Sequence, residues 1–258
     1  MRGVPLSRCS QCGLLGTTHF VTRAKTPDGL YDVDSENLAA YQKQYLPHRV
    51  ATYGRVLPQL EQFRKTNRLL EVGSGYGYFL DMASRAKWES EGVEISPYCC
   101  QMARQRGCKV WEGQLSDAAP SSGTYDIVIL WDVIEHFTEP DKIIHQCRTL
   151  LRPGGALVMR TPDARALASS LHPGRVAYRH LAYPANTAEH VFHFEPRNLT
   201  DMVSNLGFNV HELDSEEFWE ERVISGNNRW VRAGRWLIMR HAYWSAWPYE
   251  FVITAVRA

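Results

Sequence analysis

The stretch Arg68-Leu69-Leu70-Glu71-Val72-Gly73-Ser74-Gly75-Tyr76-Gly77 constrains this chain more than any other part of it. An apolar run of strand length meets glycines at 73, 75 and 77, and Tyr78 to Arg85 then reads as a helix. A strand that turns so abruptly into a helix uses glycine where no Cβ can be tolerated or where backbone must lie close to a ligand. The next residues repeat the alternation. Gly92-Val93-Glu94-Ile95 reads as a second strand, and Ser96-Pro97 caps and opens a second helix. Lys109-Val110-Trp111 is a short third strand. Tyr125 to Trp131 is a fourth, apolar almost throughout, as suits a strand covered on both faces. Asp141 to Leu151 forms a helix that stops at Arg152-Pro153-Gly154-Gly155, and Ala156 to Arg160 is a fifth strand. Strand–helix alternation at this spacing, with right-handed crossovers, gives a doubly wound α/β sheet.

The flanks are less regular. Residues 1–36 read as an irregular, turn-rich segment, and residues 37–64 as helical, divided by Pro47 and Pro58. Residues 162–195 interrupt the alternation where strand five ends. Ligands bind at the carboxyl ends of such strands, so this insertion is expected to cover a substrate. A helix near 196–206 and a strand near 207–213 resume the pattern within one domain over 37–258. An aromatic-rich helix from Trp230 to Trp244 and a terminal strand from Tyr249 to Val256 follow. With Arg232, Arg235 and Arg240 beside its tryptophans, that helix can be read as a surface-binding element; packing against the sheet is the reading preferred.

Composition narrows the partners. A formal net charge of +1 on 258 residues supplies no global field for nucleic acid. No apolar run approaches the roughly 20 residues of a membrane span, and Met1 to Pro5 is not followed by the apolar core of a signal peptide. Six cysteines that include the adjacent Cys99-Cys100 do not resemble a disulfide framework, so reduced thiols and a cytoplasmic location are expected, with the chain a monomer or homodimer.

Spacing in the glycine turn bears on the ligand. Dinucleotide enzymes use G-x-G-x-x-G, whose third glycine allows close packing beneath a pyrophosphate; here that position carries Tyr78. A nicotinamide dehydrogenase is thereby disfavoured. Leu70 to Gly77 instead resembles the first motif of class I S-adenosylmethionine-dependent methyltransferases. Trp131-Asp132-Val133-Ile134-Glu135-His136 resembles the family's segment after strand four, and Leu151-Arg152-Pro153-Gly154-Gly155 its turn before strand five. The match over residues 69–160 is to the small-molecule group related to the ubiquinone-biosynthesis O-methyltransferases.

The resemblance implies a seven-stranded, mostly parallel sheet with helices on both faces and an antiparallel last strand. It implies S-adenosylmethionine as cofactor, with Gly73, Ser74, Gly75 and Gly77 around its methionine part. Glu71 would organise the turn or reach the cofactor's amino group through water. Glu94, with Ile95 behind it, ends the second strand, where a carboxylate can accept from both ribose hydroxyls. Gln114 and Leu115 fall where the family surrounds the adenine, and Trp131 and Asp132 follow at the end of strand four.

Methyl transfer from a positive sulfur needs alignment and exclusion of water more than an oxyanion hole. A hydroxyl acceptor also benefits from a general base, worth about 10²- to 10⁴-fold. His136, just beyond strand four, and His190 and His193, which end the insertion, are the candidates, since histidine titrates near neutrality. Glu135 reads as structural. The expected activity is methylation of a small molecule, on oxygen in the leading reading, with N- or C-transfer and a non-catalytic S-adenosylmethionine-binding protein as alternatives.

Cys9 and Cys12 resemble half of a zinc ribbon. A structural site needs four ligands, no second cysteine pair is near, and His19 would supply only a third. A chain that starts late, a vestige, and a metal shared by two chains all remain open, and no metal is assigned.

Overall fold

A computed structural model describes residues 6–17, 35–116, 122–165, 190–216 and 250–258. The centre of the expected insertion (166–189), the proposed helix from Trp230 to Trp244, and His19 lie outside the described residues.

Seven strands form the main sheet: β3 (Arg68–Val72), β4 (Glu89–Glu94), β5 (Lys109–Glu112), β6 (Tyr125–Trp131), β7 (Leu151–Pro162), β9 (Phe208–Glu216) and β10 (Glu250–Arg257). Their spatial order is β5-β4-β3-β6-β7-β10-β9, with β10 antiparallel to both neighbours and the other pairings parallel. The strand order reverses between β3 and β6, so ligands are expected at the carboxyl ends of these two strands.

The apolar runs in the sequence make sense once both faces are seen. Leu69, Ile127, Ile129, Trp131, Ala156, Val158 and Val252 pack toward α2 (Leu46–Gln59), the following 3₁₀ turn and α3 (Tyr78–Arg85). Their strand neighbours Leu70, Val128, Leu130, Leu157, Met159 and Ile253 point the other way, toward α5 (Pro140–Leu150) and α6 (Pro196–Asn205). Alternate residues thus serve opposite layers, and each fully buried Leu, Ile or Val contributes roughly 1.5–3 kcal/mol. The helix α4 (Pro97–Gln105) begins as its sequence suggests: Ser96 Oγ accepts from the N–H of Cys99 at 3.3 Å, and Pro97 occupies the first turn.

At the amino ends of the strands, Asp126 gathers the loops. Its Oδ2 accepts the N–H groups of Lys65, Thr66 and Asn67, each at 2.8 Å, and its Oδ1 accepts from Arg152 Nε at 2.5 Å. Glu91 is a second anchor, bonded to Arg68, Lys109, Tyr125 and Trp111.

Two expectations change. Residues 6–17 are not irregular: β1 (Leu6–Arg8) and β2 (Leu15–Thr17) form a hairpin, and β8 (Phe192–His193) adds to it in a second, three-stranded sheet. Strands of two or three residues are too short for alternation to show in sequence. The segment read as 37–64 forms α1 (Ser35–Gln44) and α2, but only Pro47 marks a helix start. Pro58 lies inside α2, near the helix end at Gln59.

Candidate active site

The glycine turn is built from three positive-φ residues with separate physical reasons. Gly73 (φ +71°) lies against Val133: a Cβ there would come within 2.5 Å of that side chain. Gly77 (φ +78°) caps α3, and its Cβ would meet Ala103 at 2.8 Å. Gly75 (φ +51°) differs, because no described atom lies within 4 Å of the position its Cβ would take. Gly73 and Gly77 are required by packing. Gly75 presents backbone to the space above the turn.

Glu94 closes the other side. One carboxyl oxygen accepts the N–H of Gly75 at 2.7 Å and the other that of Ser96 at 2.8 Å. Burial pushes its pKa up, against the opposing effect of the N–H groups of Ser96, Gly75 and half-buried Ile95. Each oxygen retains a lone pair for a further donor. The turn and strand end are joined again by Gly73 N–H and Ser74 N–H donating to Val93 O, and by Gly113 N–H donating to Glu94 O. Gln114 follows, exposed, with Leu115 buried beside it.

Glu71 is buried beneath this turn, and its Oε2 accepts no hydrogen bond from a described residue. Ser74 Oγ is similarly buried without a partner. Burial, reinforced by repulsion from Glu94 and only partly offset by Arg49, drives the Glu71 pKa well upward. A buried acid raised in this way stays neutral unless a donor or cation comes to stand beside it.

Trp131 and Asp132 part company. The Trp131 ring packs against Tyr53 and Phe79, with centroids 5.1 and 5.3 Å away, so it faces the α2–α3 layer. Any contact it makes above the sheet comes from its backbone. Asp132 has φ +54°, and its carboxylate is held by Arg49 and Arg160, each at 2.7 Å. Arg160 also pairs with Glu250 of β10. Sequence reading missed Arg49 and Tyr41. Tyr41 stacks over the turn, 5.1 Å from the Tyr76 ring and 5.9 Å from that of Tyr78. Both missed residues come from helices outside the strand–helix repeat, and nothing local in their sequence points to this site.

The histidines do gather. His136 ends a 3₁₀ turn (Ile134–His136) just beyond β6, with its ring centroid 4.9 Å from that of His190; the His190 and His193 centroids are 5.7 Å apart. His190 and His193 are buried, whereas His136 is half-buried. Burial lowers the His193 pKa to about 4, so its ring is neutral near pH 7. Glu135 is buried too. It accepts from Thr161 Oγ1 at 2.9 Å and lies 3.9 Å from His190 Nε2 through its other oxygen. Burial and then the charge on Asp132 push its carboxyl well up. Ligand atoms of Glu135, His136 and His190 lie within 4.8 Å of one another, a spacing at which they could close on a cation. That gathering was illegible in sequence because His190 is brought to Glu135 by the Val191 N–H donating to Glu135 O, across 56 residues.

A sheet of this order, with a glycine turn after its first parallel strand and an acid ending the next, defines the class I methyltransferase architecture. The comparisons agree. Residues 41–213 match the family model described as a methyltransferase domain, and the chain belongs to that family. It is an S-adenosylmethionine-dependent methyltransferase. A ubiquinone biosynthesis O-methyltransferase of Xanthomonas axonopodis pv. citri is 26% identical over 165 residues, covering 60% of this chain and 69% of the relative. Two solved structures share the fold. An S-adenosylmethionine-dependent methyltransferase from Archaeoglobus fulgidus aligns with TM-score 0.61 and 19% identity, over 87% of this chain and 100% of that one. Geranyl diphosphate C-methyltransferase from Streptomyces coelicolor aligns with TM-score 0.63 and 15% identity, over 88% and 86%. Among the described residues no helix is long and apolar enough to cross a membrane.

The turn fits the cofactor on its own geometry. Gly75 leaves its backbone open, with no described atom within 4 Å of the Cβ position, and the buried Glu71 Oε2, which accepts no hydrogen bond from a described residue, suits a donor on a cationic ligand.

Proposed function

We propose that this enzyme methylates a hydroxyl group of a small molecule, with His136 as the general base. The single observation that supports the base is the row His136–His190–Glu135 at the carboxyl end of β6. Only its first member is open enough to meet an acceptor. The name of the Xanthomonas relative supports oxygen as the acceptor atom. Gly73, Ser74, Gly75 and Gly77 would hold the methionine part of the cofactor, Glu94 the ribose, and Gln114 and Leu115 the adenine side. Asp132, clamped by two guanidiniums, would fix the end of β6 between cofactor and acceptor.

S-adenosylmethionine supplies a methyl group already activated by positive sulfur. The chain's own work is to orient the acceptor, exclude water and accept the hydroxyl proton. His136 takes that proton at a ring nitrogen. His190, edge-on to His136 and 3.9 Å from Glu135, limits how the His136 ring can turn, and neutral His193 packs behind His190.

Replacing His136 by Gln is expected to lower kcat about 10²- to 10⁴-fold while leaving cofactor affinity unchanged. Labelled-methyl transfer and a cofactor titration measure the two separately; an unchanged kcat would remove His136 as base. Binding without transfer to any acceptor in an extract would favour a non-catalytic cofactor-binding protein.

A second expectation follows from Glu71. Because its folded pKa is raised, the acid is protonated over a range in which a free glutamate is ionised. Cationic ligand favours the carboxylate, so binding should release a proton and tighten as pH rises toward the Glu71 pKa. Calorimetry in buffers of different ionisation enthalpy reads the proton directly, and Glu71→Gln should abolish its release.

A further inference from the structure

Tyr78 stands where dinucleotide enzymes carry their third glycine, and its phenol ties three elements together. The oxygen accepts from Gln42 Nε2 of α1 and from Arg106 Nη2, just beyond α4, each at 2.7 Å. Arg106 also lies 3.9 Å over the Tyr78 ring and donates through Nε to Tyr76 O at 3.2 Å. The helix held by Gln42 buries little. It is 10 residues long, below the length of about 12–15 residues at which an isolated helix is marginal in water. None of its described side chains is buried: Leu38 and Tyr41 are half-buried and the others exposed. The next helix is anchored. It buries Thr52, Tyr53, Val56 and Leu57, and sends Arg49 to Asp132 at 2.7 Å and His48 to Glu250 at 3.5 Å. Tyr45, at φ −113°, lies between the two helices, and Pro47, with no N–H to donate, falls in the first turn of α2. The Tyr41 ring is close enough to Arg49, Glu71 and Asp132 to feel their charges, and it lies 5.1 Å from the Tyr76 ring. Beside Tyr76, the Cβ position of Gly75 has no described atom within 4 Å. An aromatic ring on a lightly held helix therefore stands over a space walled by glycine backbone.

We propose that α1 is a cap on the cofactor: Tyr41 covers the methionine part, Gln42 latches the helix to Tyr78, and the joint at Tyr45–Pro47 lets the cap swing while α2 stays fixed. This role rests on the glycine turn holding the methionine part. Closure keeps water from the positive sulfur while the methyl group is transferred. A few weak contacts suit an element that opens each time cofactor enters or spent cofactor leaves. Both donors on the Tyr78 oxygen are exposed, so opening the latch returns them to water at little cost. Arg106, fixed on the far side, holds the Tyr78 ring in place for the cap to close on again.

The test follows amide hydrogen exchange of the full chain with and without S-adenosylmethionine. Exchange in residues 35–44 should slow about 10-fold on binding, together with that in the glycine turn 73–77. Rapid-mixing chase experiments then read the latch. Gln42→Ala and Tyr78→Phe should each release S-adenosylmethionine about 5-fold faster than the parent, the worth of one exposed hydrogen bond, with the thermal midpoint of the free protein unchanged. Alanine is the best helix former, so the first variant loosens the docking of α1 without weakening the helix itself. Tyr41→Leu should also speed release, and Tyr41→Phe, which keeps the ring, should restore the parent rate. Slowed exchange in the turn with unchanged exchange in α1 would overturn the cap and leave the turn's assignment standing. Unchanged exchange in both segments would overturn the two together. Parental release rates in both latch variants would likewise overturn the proposal.

Discussion

Replacing Gly75 by alanine is expected to weaken S-adenosylmethionine binding about 100-fold, near 2.7 kcal/mol, in a protein that still folds. The added methyl meets no described atom within 4 Å, so the folded chain bears only the cost of a side chain at φ +51°, about 1–2 kcal/mol. On the proposed reading, what it does meet is the methionine part of the cofactor. The same substitution at Gly73 should act differently. There the methyl would stand 2.5 Å from Val133, on a residue whose N–H already bonds Val93 O, so the loss falls on stability. Titration calorimetry and thermal melting of the two variants separate these outcomes. Equal cofactor affinity in Gly75→Ala and the parent would disprove the assignment of this turn as the methionine site.

Asp126→Ala should cost about 3–5 kcal/mol, because it strands Arg152 and three backbone N–H groups at once. For a chain of this size that corresponds to a fall in thermal midpoint of roughly 10 °C. The same anchor predicts acid sensitivity. Burial raises the Asp126 pKa, but the N–H of Lys65, the Arg152 side chain and the N–H of Thr66 outweigh it and leave the carboxyl below its ordinary value. For Glu91, burial is likewise outweighed by bonds from Lys109, Tyr125, Trp111 and Arg68, which hold it at about 2. A carboxyl depressed in the folded state contributes stability that is complete above its unfolded pKa, near 4, and is lost as pH falls toward the folded value. Stability should therefore drop between about pH 4 and pH 2. Asp126→Ala should flatten its own share of that drop, measurable by urea unfolding at a series of pH values.

Neither anchor was visible in the sequence. Asp126 stands in a strand otherwise apolar from Ile127 to Trp131, and its partners lie about 60 and 26 residues away. What could be read locally was read. The strands β3, β4, β5, β6 and β10, and the helices α3 to α6, fall close to where periodicity and capping place them, because burial on both faces and the Ser96-Pro97 cap are properties of adjacent residues. The hairpin of residues 6–17 escaped because its strands are only three residues long, and the addition of β8 to it because that pairing spans about 175 residues.

The sequence by itself determined the glycine turn, the acid that follows it one strand later, and hence the class of cofactor, since those features lie within 25 residues and need only a strand, a turn and a helix to assemble. Tertiary structure decided the rest of the site. It brought Arg49 and Arg160 to Asp132, set Tyr41 over the turn, and carried His190 to His136 and Glu135. It also separated the glycines: identical in sequence, Gly73 and Gly77 are fixed by neighbours that press on them, and Gly75 by the space it leaves open. Contacts between distant segments depend on how helices and loops settle on the sheet, and no local pattern of residues encodes that.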